Sequence, residues 1–90
     1  MSGTFKIKAE SRRQYDYCKC IEELNELATA LMQQFNKPHK VLASEITEEM
    51  GDVLYRIENL LDYYDRKAVL TRKKYKAAKC DPIRAKKTKD

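Results

Sequence analysis

Two glycines, two prolines and no tryptophan stand among 90 residues. So little turn-forming material excludes a β-rich fold, whose hairpins need Gly, Asn and Pro at fixed positions. No apolar run approaches the roughly 18 residues of a membrane span, and the first residues carry no apolar core of a secretory signal. The expectation is a cytoplasmic chain with no membrane partner. Cysteine is scarce and odd in number: Cys18, Cys20 and Cys80. Cys18 and Cys20 are separated by a single residue, and the one histidine is His39. That is a poor zinc set and no disulfide framework, so reduced thiols in helix packing are expected.

What is present is charge. Charged residues make up 37% of the chain, with a formal net charge of +5. The two signs are segregated. Residues 22 to 52 hold the acidic groups Glu22, Glu23, Glu26, Glu45, Glu48, Glu49 and Asp52 against Lys37 and Lys40. From Arg66 onward the chain is basic, opposed only by Asp81 and Asp90. One small domain is expected, marginal in core size and therefore completed by oligomerisation.

Apolar residues recur at helical spacing. Ile21, Leu24, Leu27, Ala28, Leu31 and Phe35 form one stripe, on a helix that begins near Glu10 or Ser11 and stops before Pro38. Ile46, Met50, Val53, Leu54, Ile57, Leu60, Leu61 and Tyr64 form a second. Ser44 is a candidate N-cap. A third, basic helix ends at Asp81-Pro82. Residues 1–9 read as a lead-in, 10–80 as the helical domain and 81–90 as a basic tail. The fold class is all-α: a small antiparallel bundle of three to four helices.

The acidic groups are spaced to share helix faces. Glu23 and Glu26 lie three apart, as do Glu49 and Asp52. Antiparallel helices would set the two pairs side by side. Four carboxylates at close range repel, and an all-oxygen nest favours Mg2+ or Mn2+ over Zn2+. Glu45, Glu49, Asp52, Arg56 and Asn59 form one polar stripe. The competing explanation is a solvated acidic face. Against it, these carboxylates have few lysines four residues away; Lys19 before Glu23 and Arg56 after Asp52 are the exceptions. Gly51 inside the second helix costs about 1 kcal/mol relative to Ala and would admit a close approach by backbone or ligand.

Glu22-Glu23-x-x-Glu26 followed by Glu49-x-x-Asp52 resembles the EExxE…ExxD signature of the MazG-like all-α nucleotide pyrophosphohydrolases. The run Glu48-Glu49-Met50-Gly51-Asp52-Val53-Leu54-Tyr55 is especially similar, and Asn59 falls where many members carry Asn. The likeness covers about residues 14 to 65. It implies Mg2+-dependent cleavage of a nucleoside triphosphate to a monophosphate and pyrophosphate, by a homodimer or homotetramer. Glu23, Glu26, Glu49 and Asp52 match the metal ligands, and Glu22 the first acidic position, a catalytic or water-orienting group. Lys19, Arg56, Asn59 and Lys74 are the substrate-binding candidates. Lys74 lies in Arg72-Lys73-Lys74-Tyr75, where members often carry an Asn-x-Lys-Phe-like stretch. Arg stands here in place of that Asn. The alternative function is a helical nucleic-acid-binding or adaptor module built on the basic C-terminal segment.

Overall fold

The computed structural model describes residues 11 to 83. The lead-in at 1–9 and the tail beyond residue 83 lie outside the described residues. Among those described there are three α-helices and no strand: α1 (Arg12–Asn36), α2 (Ala43–Leu60) and α3 (Arg66–Cys80), with 3-10 turns at Pro38–Lys40 and Leu61–Tyr63. The fold is all-α, as expected. Among the described residues no helix is long and apolar enough to cross a membrane.

The helix ends have local causes. Ser11 caps α1, its Oγ accepting from the Gln14 amide at 3.1 Å. Pro38 stops α1 and opens the 3-10 turn as its first residue. Ser44 is not the cap of α2. The Leu42 carbonyl already accepts from the amides of Glu45 and Ile46, so the helix starts one residue before Ser44. Asp65 caps α3 by accepting from the Ala68 amide at 3.1 Å. That cap supplies the boundary that no glycine or proline marks.

The chain divides after Leu60 into two units. The first is a helical hairpin of α1 and α2. Its seam overlaps only in part the apolar stripes that periodicity picks out: Leu27, Val53 and Leu60 lie in it. The inward line of α1 is Asp16, Cys20, Glu23 and Leu27, at steps of four, three and four, all buried or half-buried. Asp16 is only 4% exposed, with the Arg12 guanidinium 4.0 Å away. The facing line of α2 is Glu49, Val53, Arg56 and Leu60, at the same steps. This repeat keeps one face of each helix against the other along the hairpin.

The expected core stripe consequently lies open. Ile21, Leu24 and Leu31 on α1 and Met50 and Leu54 on α2 are exposed, and Phe35 is 85% exposed. At about 100° per residue Leu24, Leu31, Phe35 and Met50 fall a quarter turn or less from the seam, and Ile21 and Leu54 roughly a third of a turn. In an antiparallel hairpin the two bands then lie on the same side of it. Two helices have one mutual contact line; two wide apolar arcs cannot both be buried along it. Among the described residues the buried apolar side chains are Cys18, Cys20, Val41 and Val53, few for a stable domain. All three cysteines are free thiols.

The second unit holds the 3-10 turn and α3. Its helix is capped at both ends, the Asp81 amide donating to the Ala77 carbonyl. No residue of α3 is buried.

Candidate metal centre

The hairpin brings the two acidic stretches together across the seam. Glu23 on α1 and Glu49 and Asp52 on α2 each offer a carboxylate oxygen, all within 4.8 Å of one another. Glu23 and Glu49 are half-buried, and Asp52 opens to solvent. Glu26, the fourth expected ligand, is hydrogen-bonded to Glu49 on the same side of the seam.

Electrostatics shows the strain of this arrangement. Burial pushes the Glu23 carboxyl above its ordinary range; Asp52, Glu26 and Glu49 push the same way, and the Arg56 guanidinium opposes them. Burial also raises Glu49, reinforced by Glu26, Asp52 and Glu48 and by the hydrogen bond to Glu26. Two oxygens, Glu23 Oε1 and Glu49 Oε1, are buried with no hydrogen-bond partner. Buried acceptors of this kind are costly unless something satisfies them.

A hard divalent cation fits that donor set. The atoms are all carboxylate oxygens, they converge from two helices, and two of them lack partners in the interior. Among the described residues this is the one acidic or thiol cluster with such geometry.

The flanking cations depart from sequence spacing. Lys19 pairs with Glu22 at 3.7 Å, three residues on, rather than with Glu23. Arg56 pairs across the seam, its Nε 3.8 Å from Glu23 Oε2, rather than with Asp52 on its own helix. Arg56 also lies over the Tyr55 ring, and Lys19 over that of Tyr15. Asn59 is half-buried on α2, one turn beyond Arg56. Lys74 is exposed on α3, in the second unit. Glu22, next to Glu23 in the chain, is paired with Lys19.

Gly51 meets no close neighbour: a Cβ built there finds no atom within 4 Å. No close approach to Gly51 is made among the described residues. Cys20, expected as a helix-packing thiol, is buried in the seam, three residues before Glu23; its thiol is raised by burial and by Glu23 and lowered by Arg56. No protein-family model, curated protein or solved structure matches this chain.

Proposed function

We propose that the chain is a divalent-cation-dependent nucleoside triphosphate pyrophosphohydrolase. One observation carries the proposal. Carboxylates from two helices converge within 4.8 Å, with buried oxygens that lack partners, in the order and spacing of the MazG-like signature. Water attacks the α-phosphorus, the bond from that phosphorus to the α–β bridging oxygen breaks, and pyrophosphate leaves. The products are a monophosphate, pyrophosphate and a proton.

Glu23, Glu26, Glu49 and Asp52 would hold the ion. Mg2+ or Mn2+ bound there supplies charge neutralisation for the triphosphate and activation of water. Glu22 is the group assigned to orient the water and take its proton, and the ion pair with Lys19 holds that carboxylate in place. Arg56 holds one oxygen of Glu23 and is the side chain best placed to exchange that partner for a phosphate oxygen. Asn59 lies on the same side of α2 and is assigned a hydrogen bond to substrate. A second copy of the chain covers the open apolar band of the hairpin.

Pyrophosphate release from a panel of ribo- and deoxyribonucleoside triphosphates tests this, with Mg2+ or with EDTA. Release that needs the metal and falls at least 100-fold in Glu49→Ala, as expected for loss of a ligand at the reacting centre, supports it. Release that survives EDTA or the substitution refutes it.

A further inference from the structure

Helix α3 has a chemistry that the carboxylate centre does not use. Of its 15 residues seven are Lys or Arg, and none is acidic. Arg66 pairs with Asp62 at 3.5 Å, both well exposed. Among the described residues the other six cations form no ion pair. Several lie three or four apart, as in Arg72–Lys76 and Lys76–Lys79, where like charges each cost a few tenths of a kcal/mol. A helix of this kind is relieved by a polyanion.

The cations are arranged around an aromatic ring. Tyr75 is 51% exposed. Arg72 Cζ lies 4.8 Å from its ring centre and Lys79 Nζ 5.8 Å. Ala68, Thr71 and Ala78 share its side of the helix and are too small to cover it. Lys67 and Lys74 border the opposite edge of that face. A shallow groove beside the ring is lined by Lys67, Ala68, Thr71, Arg72 and Tyr75, with Asp65 at its end. The Asp65 carboxylate is committed to the helix cap.

We propose that this face of α3 binds single-stranded nucleic acid, with a base stacked on Tyr75 and phosphates on Lys67, Arg72, Lys74 and Lys79. An exposed ring flanked by cations suits unstacked bases, which a duplex does not offer. From Lys67 to Lys79 the helix rises roughly 18 Å, the span of about five phosphates of a stacked strand. An anionic membrane is the weaker fit. Val69 and Leu70 share their side with Arg66 and Lys73, so no continuous apolar face opposes the charge.

Fluorescence anisotropy of a labelled single-stranded oligonucleotide, titrated with the full chain in EDTA over a series of salt concentrations, tests the proposal. Four phosphate contacts give a slope of log affinity against log salt of about −3. Tyr75→Ala lowers affinity about ten-fold or more without changing the slope, while Tyr75→Phe retains it. The double variant R72A/K79A flattens the slope by about 1.4. Alanine favours helix, so circular dichroism will show α3 intact in these variants. Glu49→Gln leaves binding unchanged, which separates this surface from the carboxylate centre. The proposal is overturned by absent or salt-independent binding, by indifference to Tyr75→Ala, or by displacement of the strand by a nucleoside triphosphate at equal phosphate concentration. Tighter binding to phosphatidylserine vesicles than to the strand also overturns it.

Discussion

Glu49 is the residue on which the most depends. Its carboxyl is half-buried among Glu26, Asp52 and Glu48, and its pKa is raised in the folded chain. A carboxyl with a raised folded pKa binds protons more tightly folded than unfolded. Its charge therefore costs stability, and the cost grows as pH rises from the ordinary glutamate value of about 4.5 through the folded one. Glu23 acts in the same direction. The metal-free chain should thus lose stability as pH climbs from there toward neutrality. Glu49→Gln should flatten that pH dependence and raise the melting temperature without metal. Mg2+ at about 100 times its dissociation constant stabilises the wild type by about 2.7 kcal/mol, on the order of 10 °C for a domain of this size. The variant should lose most of that gain. Thermal unfolding followed by circular dichroism, with EDTA and with Mg2+, measures all of these. A wild type that melts at the same temperature at every pH and metal level contradicts the account.

At the scale of the elements, the helix boundaries were legible because each has a local chemical cause. Ser11 and Pro38 mark the ends of α1, and Asp81-Pro82 the end of α3. Asp65 went unread as a cap because no turn residue drew attention to it. The meeting of the acidic stretches was legible in part: i, i+3 pairs on two antiparallel helices can share a seam, and Glu23, Glu49 and Asp52 do so within 4.8 Å. The seam was not. Hydrophobic periodicity finds the most apolar arc of each helix, and here that arc is not the one in mutual contact. Asp16, Cys20, Glu23 and Arg56 occupy the seam instead, and their polarity hides it from a search for apolar stripes. The partners of Lys19 and Arg56 were misassigned for a related reason: spacing along one helix says nothing of a facing helix. Gly51 gives a clean test at this scale. With open space at its Cβ position, Gly51→Ala should stabilise the metal-free chain by about 1 kcal/mol through helix propensity, measured by urea unfolding. Destabilisation would mean that another chain meets the backbone at that point.

For the whole molecule, the open apolar band beside the carboxylate seam decides the assembly. Ile21, Leu24, Leu31, Phe35, Met50 and Leu54 form an uncovered surface of a kind that monomers rarely keep. A self-complementary dimer is the simplest cover. Sedimentation equilibrium should give at least twice the mass of the chain, and Leu54→Glu should shift the protein to monomer and lower its melting temperature. A monomeric wild type at high concentration contradicts this.

The most direct test of the central claim is a Mn2+ titration of the metal-free protein, with free Mn2+ read from its electron paramagnetic resonance signal. The account predicts that the free signal stays suppressed until a fixed stoichiometry per chain is filled, that Mg2+ restores it by competition, and that Asp52→Asn or Glu49→Gln abolishes the suppression. A free signal that rises linearly from the first addition in the wild type would contradict it and leave Glu23, Glu49 and Asp52 as an acidic seam without an ion.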